Sequence, residues 1–229
     1  RAYAPVLPAT GEVRLDPEES SHLVRARRVR VGEAVVLFDG QGGSRLGRLA
    51  DANAKAALVH IDGDYPDRRP SRVLRLAVAL PEMGRADRMV QALAELGVAE
   101  LAPLVTARSA PGRAGQAERR APRWAKLARE ACKVNGCARA LVLRPALPFE
   151  DALGQGAVLL DPDPQAARLL EVLGAEGEGV WLLIGPEGGF TDAELSSARE
   201  ADAPVARLGA TALRVETAAI AAAAIALGT

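Results

Sequence analysis

The spacing of apolar positions changes character near residue 70. Upstream, short apolar runs are divided by Gly, Asp and Asn: Val35-Val36-Leu37-Phe38 before Asp39-Gly40, then Arg45-Leu46-Gly47-Arg48-Leu49, then Ala57-Leu58-Val59-His60-Ile61. Runs of this length and punctuation predict strands, and together a small β-barrel. One helix interrupts them. Asp16, Pro17 and Glu19 supply an N-cap, a first-turn proline and a capping-box partner, and the helix should run to about Arg27. Downstream, strand-like runs at 74–80, 101–105, 141–143, 158–160, 180–184 and 205–208 alternate with segments of helical period. That alternation predicts an α/β domain on a mainly parallel sheet. Met89, Leu93 and Leu96 mark one helix, closed by Gly97. Trp124, Leu127, Ala128 and Ala131 form the stripe of another, with Arg123, Lys126, Arg129 and Lys133 off it and a loose basic loop at 108–120 before it.

Between the two patterns, Tyr65-Pro66-Asp67-Arg68-Arg69-Pro70-Ser71-Arg72 combines two prolines with charges and has no apolar period, which reads as a linker. Two unequal domains are expected, 1–68 and 72–229, with no internal repeat. The composition, 49% hydrophobic, 25% charged and 3% aromatic over 229 residues, is that of a globular protein with a sizeable core, and excludes a disordered, collagen-like or disulfide-stapled chain. No apolar run approaches the ~20 residues of a bilayer span, and the first five residues lack the apolar core of a signal peptide, so a cytoplasmic protein is expected. Cys132 and Cys137, with two histidines in the chain, fit neither a zinc site nor a Cys-x-x-Cys pair; reduced thiols and no metal are expected.

The overall balance of 29 basic and 29 acidic residues conceals a gradient: +2 over 1–72, +7 over 73–145 and −9 over 146–229. A polyanion responds to local field, so the first two segments are expected to face nucleic acid. A genome's codon bias is one alternative reading of Arg supplying 26 of the 29 cations, but it does not explain the gradient.

Ligands of open α/β sheets bind beyond the carboxyl ends of strands, so glycine-rich turns after strands are the places to search. Ile184-Gly185-Pro186-Glu187-Gly188-Gly189-Phe190 follows an apolar strand and runs into Thr191-Asp192-Ala193-Glu194, a capping box. It is neither a Walker loop nor a dinucleotide fingerprint; spacing alone leaves a plain turn and a binding loop equally open. Leu208-Gly209-Ala210-Thr211-Ala212-Leu213-Arg214-Val215-Glu216-Thr217-Ala218 enters an alanine-rich final helix, where Arg214 and Glu216 pairing at a buried helix entrance is the alternative to a functional loop.

In this order, the two loops resemble the Ile-Gly-Pro-Glu-Gly-Gly-Phe and Leu-Gly-x-x-x-Leu-Arg-x-Glu-Thr-Ala motifs of the RsmE family, which methylates N3 of a uridine in small-subunit ribosomal RNA within the SPOUT class. The resemblance covers the whole chain. Ser21-His22-Leu23-Val24-Arg25, Gly32-Glu33 and Leu37-Phe38-Asp39-Gly40 look like the family's PUA-like barrel, and Glu95-Leu96-Gly97-Val98 with Pro103-Leu104 like its first helix and next strand. Departures are Ala92 and Ala94 before Glu-Leu-Gly, where Lys and Thr are usual, and Lys133-Val134, where Glu-Gln is usual.

The resemblance implies an N-terminal PUA-like β-barrel and a C-terminal SPOUT α/β domain with a trefoil knot. It further implies an S-adenosyl-L-methionine pocket in the knot, a homodimer, and 16S ribosomal RNA or the small ribosomal subunit as substrate. The pocket would be lined by the turn after Leu160, by Ile184, Gly185, Pro186, Glu187, Gly188 and Gly189, and by Leu208, Gly209 and Leu213. Removing the uracil imide proton leaves an anion over two carbonyl oxygens, which a guanidinium stabilises. Arg214 is the first candidate for that role, and Glu216 is either the base or the residue that fixes Arg214. His22, Arg25, Arg27 and Arg28, then Arg119, Arg120 and Arg123, are the candidate RNA contacts, and the target base must leave its stack to reach the pocket. The alternatives are a SPOUT enzyme acting on a ribose 2′-hydroxyl or another base, and a non-catalytic RNA-binding assembly factor.

Overall fold

The computed structural model describes residues 1–68, 70–173 and 179–228. The chain forms two compact units, one of Arg1–Arg69 with Arg129–Ala140, the other of Pro70–Ala128 with Leu141–Thr229.

The first unit carries a five-stranded sheet ordered β1-β3-β4-β5-β2, where β1 is Ala2–Tyr3, β2 Gly11–Arg14, β3 Ala34–Phe38, β4 Ser44–Asp51 and β5 Leu58–Asp64. β1 runs parallel to β3 and the other pairs are antiparallel. Alternation places Val35, Leu37, Leu49, Val59 and Ile61 in one core. Helix α1, Pro17–Ser21, begins as the sequence predicts: the Asp16 carboxylate accepts from the Glu19 amide at 2.8 Å. It continues through a wider turn, His22–Ala26, closed by the Arg27 amide on the His22 carbonyl. The capping-box expectation fails at Glu19. Its carboxylate accepts from the Tyr3 amide at 3.1 Å and from Lys133 Nζ at 2.5 Å, because the half-buried ammonium competes better for it than a local amide.

The second unit is built on an eight-stranded, all-parallel sheet. Its elements in chain order are β6 (Leu74–Val78), α2 (Met83–Leu96), β7 (Glu100–Val105), α3 (Arg113–Asn135), β8 (Val142–Leu143), β9 (Leu147–Pro148), α4 (Phe149–Leu153), β10 (Ala157–Leu160), β11 (Ala167–Arg168), α5 (Leu169–Leu173), β12 (Val180–Ile184), α6 (Asp192–Glu200), β13 (Val205–Arg207) and α7 (Val215–Leu227). The strand order is β11-β13-β10-β12-β6-β7-β8, with β9 beside β7. Leu76, Leu159, Leu182 and Leu183 are fully buried on strands covered from both faces, which is why these runs read as continuously apolar. Gly97 closes α2 at φ 88°, a left-handed conformation that a Cβ would penalise. On α7, Ala219, Ala222, Ala223 and Ala226 are buried, and their small side chains let α7 lie close to α2 and β6.

The expected loose loop at 108–120 is corrected: α3 starts at Arg113 and carries Pro122 within it. Buried Ala117 and Trp124 anchor the helix on either side of that proline, and their packing outweighs its missing amide donor. The last turns of α3 belong to the first unit, where the Arg129 guanidinium stacks over the Tyr3 ring at 5.2 Å. Arg129 and Lys133 are therefore not on a solvated face.

Candidate active site

The carboxyl ends of β10, β12 and β13 open into a cavity of about 130 Å³. Three turns form its walls: Leu160-Asp161-Pro162 after β10, the glycine-rich turn after β12, and Leu208 to Val215 between β13 and α7. Of the ten residues the sequence assigns to a cofactor pocket, Leu160, Ile184, Gly185, Pro186, Glu187, Gly189, Leu208, Gly209 and Leu213 line this cavity. Gly188 does not. A Cβ there would meet Arg108 Cδ at 3.3 Å, and the Gly188 carbonyl accepts from Arg108 Nη1 at 2.6 Å.

Glycine is needed here for space as well as conformation. A Cβ on Gly185 would press the Phe190 ring at 3.2 Å, whereas one on Gly209 would find no protein atom within 4 Å. Gly189 sits at φ 68°. The turn is then locked from below. Thr191 and Glu194 form the predicted capping box of α6, and the buried Glu194 also accepts from the Ala107 amide at 2.8 Å. Arg108 adds a second bond to the Phe190 carbonyl at 3.1 Å, so the loop after β7 is tied to the turn after β12. Sequence reasoning missed Arg108 and Glu194 as supports because their partners lie some 80 residues away; the turn after Leu160, which it did assign to the pocket, contributes Asp161, a carboxylate on the cavity wall.

Arg214 is the N-cap residue of α7, exposed and flanked by the lining residues Leu213 and Val215, and makes no side-chain hydrogen bond or ion pair among the described residues. The alternative of an Arg214–Glu216 pair is corrected. Glu216 Oε1 lies 3.7 Å from Arg85 Nη1 on α2, and its Oε2 is buried without a partner among the described residues. Arg85 is in turn 3.9 Å from Glu82. The reason is direction: side chains two positions apart at a helix start do not face each other, and Glu216 turns towards α2.

The candidate RNA contacts divide. Arg25, Arg27 and Arg28 are exposed and carry no ion pair among the described residues, and His22 is half-buried beside them in sequence. Arg28 has φ 54°, which holds the chain in a sharp turn after the helix. In the second unit Arg119 is exposed, but Arg120 and Arg123 are not free: Asp87 on α2 takes both, at 2.5 and 3.2 Å, and accepts from Trp124 Nε1 at 2.7 Å.

Both cysteines are buried, and burial, with Cys137 close by, pushes the Cys132 thiol up to about 12, which removes it as a nucleophile at neutral pH. Among the described residues no three His, Cys, Asp or Glu side chains are grouped to hold a metal, and no helix is long and apolar enough to cross a membrane.

Comparison with known proteins follows the same two-part division. The RNA methyltransferase domain model matches residues 68–227, and the RNA methyltransferase PUA domain model residues 15–62. The chain is 31% identical over 241 aligned positions to the ribosomal RNA small subunit methyltransferase E of Mycobacterium bovis, covering 99% of this chain and 88% of that protein. It is 25% identical to the protein of the same name from Bacillus subtilis, covering 94% and 87%. Among solved structures, ribosomal RNA small subunit methyltransferase E from Neisseria gonorrhoeae, bound to S-adenosyl methionine, has a TM-score of 0.80 at 27% identity, covering 97% of this chain and 94% of that one. A methyltransferase from Legionella pneumophila in complex with the same cofactor has a TM-score of 0.82 at 26% identity, covering 99% and 96%.

Proposed function

The chain belongs to the ribosomal RNA small subunit methyltransferase E family, and from that membership we propose that it methylates N3 of a uridine in 16S ribosomal RNA using S-adenosyl-L-methionine. The observation that carries the reading is the cavity beyond β10, β12 and β13, into which nine of the sequence-assigned positions converge. The residues present suit the cofactor. Backbone groups of Gly185, Gly189 and Gly209 can approach adenine edges without a Cβ in the way, Phe190 and Leu160 add apolar wall, and Asp161 adds a carboxylate suited to a cationic sulfonium. When bound, the cofactor supplies an electrophilic methyl group.

The remaining work falls to the chain. Holding the acceptor nitrogen in line with that methyl turns a bimolecular encounter into an oriented step. Arg214, on the rim and uncommitted among the described residues, is placed to stabilise the negative charge that spreads over the uracil carbonyls. Glu216 is better suited to fixing α7 against α2 through Arg85 than to accepting a proton. Arg25, Arg27, Arg28 and Arg119 serve as phosphate contacts, with His22 beside the first group. The reading includes a domain boundary between 68 and 72, a trefoil knot around the cavity, a homodimer, and action in the cytoplasm.

Calorimetry with S-adenosylmethionine, followed by mass mapping of 16S ribosomal RNA from cells with and without the gene, tests the proposal. Saturable cofactor binding and the loss of one N3-methyluridine are expected. Cofactor binding with a different modified nucleotide would move the target, and no cofactor binding would leave an assembly factor.

A further inference from the structure

A second cavity of about 140 Å³ lies beyond the carboxyl ends of β6 and β7, next to the first, and the two share Pro186 and Glu187 as a common wall. We propose that this second cavity receives the flipped target uracil and that Glu187, on the shared wall, is the base that takes its N3 proton. The inference rests on the methyltransferase reading above and adds to it the acceptor pocket and the proton acceptor.

The placement follows from the sheet. Strand order puts β12 between β10 on one side and β6 on the other, so the turn after β12 divides the space above the sheet into two compartments. A donor on one side and an acceptor on the other meet across that turn. The volume is roughly ten times the ~10–15 Å³ that one ordered water requires, so it can hold more than solvent. Leu80, Pro103, Pro111 and Pro186 offer apolar surfaces to the faces of a ring, and polar side chains are few.

The chemistry of those polar groups matches an imide. Uracil presents one N–H between two carbonyl oxygens, so its pocket needs an acceptor with a donor beside it. Glu187 is an exposed carboxylate on the wall, and Arg113, at the start of α3, lines the same cavity. One Arg113 nitrogen donates to Gln116 at 3.1 Å, which leaves most of its five N–H groups for the carbonyls of a bound ring. The hydroxyls of Thr106 and Ser109 are engaged with each other at 3.0 Å and shape the wall instead. Arg108 and Glu194, which tie the loop after β7 to the turn after β12, hold the Glu187 wall in place between the compartments. Glu216, the base candidate offered by the sequence, lines neither cavity and faces Arg85.

The N3–H bond breaks and the proton passes to the Glu187 carboxylate; the electron pair left on N3 forms the bond to the methyl carbon of S-adenosylmethionine. The carbon–sulfur bond breaks with its pair returning to sulfur, giving a neutral thioether and a protonated Glu187 that solvent resets.

Three measurements on the full chain test this. Glu187→Gln, isosteric on the shared wall, should still saturate with S-adenosylmethionine, and at saturation should lower the single-turnover rate by at least about 100-fold, the lower range for loss of a positioned base. Ala110→Phe, which fills the second cavity from its rim, should spare cofactor affinity while weakening productive RNA binding. Replacing the target uridine by 4-thiouridine and irradiating the complex with S-adenosylhomocysteine should cross-link the base to a peptide within 103–114 or to the one containing Glu187. A wild type that methylates, with an undiminished Glu187→Gln rate and cross-links elsewhere, overturns the inference and leaves the function standing. A wild type that neither binds the cofactor nor methylates overturns both.

Discussion

Arg108 Nη1 donates to the carbonyl of Gly188 at 2.6 Å, a bond between residues eighty positions apart that ties the loop after β7 to the glycine-rich turn after β12. With its second bond, to the Phe190 carbonyl, it makes one guanidinium responsible for the shape of a turn whose own residues are too small to hold themselves. Arg108→Ala should therefore leave the protein folded and weaken S-adenosylmethionine binding by about tenfold, the scale of one lost charge-assisted hydrogen bond. Arg108→Lys, which keeps the charge but replaces the planar guanidinium by a flexible ammonium, should fall between. Calorimetry on the three proteins measures this, and equal affinities would show that the turn is self-supporting.

The two glycines should respond differently to enlargement. Gly209→Val projects into space free of protein atoms beside the cavity, so it should cut cofactor affinity with little change in melting temperature. Gly188→Val meets the Arg108 side chain instead, and its effect should be reproduced by Arg108→Ala and be non-additive with it. Additive losses would place Gly188 at the ligand directly.

Arg214→Ala should act on the chemical step. A loss of about 100-fold or more in the single-turnover methylation rate is expected, the scale for removing one preorganised donor from a developing anion, with modest change in cofactor affinity. A near-normal rate would assign Arg214 to the helix entrance alone.

Salt dependence separates free from committed arginines. Changing Arg25 and Arg28 together to Ala should flatten the slope of log affinity for RNA against log salt by roughly 1 to 2, since each true phosphate contact contributes about −0.9 to −0.7. Arg120→Ala and Arg123→Ala should leave the slope nearly unchanged and lower stability instead, because Asp87 already holds both. Titrations across salt concentrations with wild type and variants decide this, and parallel lines for the Arg25 and Arg28 double variant would remove the first helix as an RNA platform.

Acid stability should depend on Glu100. Its hydrogen bond from Arg144, joined by Arg75, holds its carboxyl below the usual range despite partial burial. A carboxyl whose folded pKa is depressed contributes stability above its unfolded value, near 4.3, and loses it as pH falls through the lower folded value. Between about pH 5 and pH 3, wild type should lose more melting temperature than Glu100→Gln, and the two should converge at the acid end. Parallel melting curves across that range would show that the bridges contribute nothing.

The strands at 157–160, 180–184 and 205–207, the Gly97 and Asp16 caps, the capping box of Thr191 and Glu194, and the glycine-bearing loops after β12 and β13, two of the three that wall the cavity, were all determined by sequence alone. Each depends on residues within a few positions of one another: an apolar run, a side chain reaching a nearby amide, a glycine where a turn must tighten. Tertiary structure decided the partners. Glu216 faces Arg85 rather than Arg214, Asp87 takes Arg120 and Arg123, Lys133 is held by Glu19, and Glu194 reaches Ala107 as well as its own cap. Local spacing is silent on these choices. An ion pair or hydrogen bond acts over a few ångströms, and which side chains come that close, from Asp87 and Arg120, 33 residues apart, to the still more distant Glu19 and Lys133 or Arg85 and Glu216, is set only when helices and loops pack. The same holds for the division of the space above the sheet: Pro186 and Glu187 stand in one short turn, but the wall they form exists because the strand order places β12 between β10 and β6.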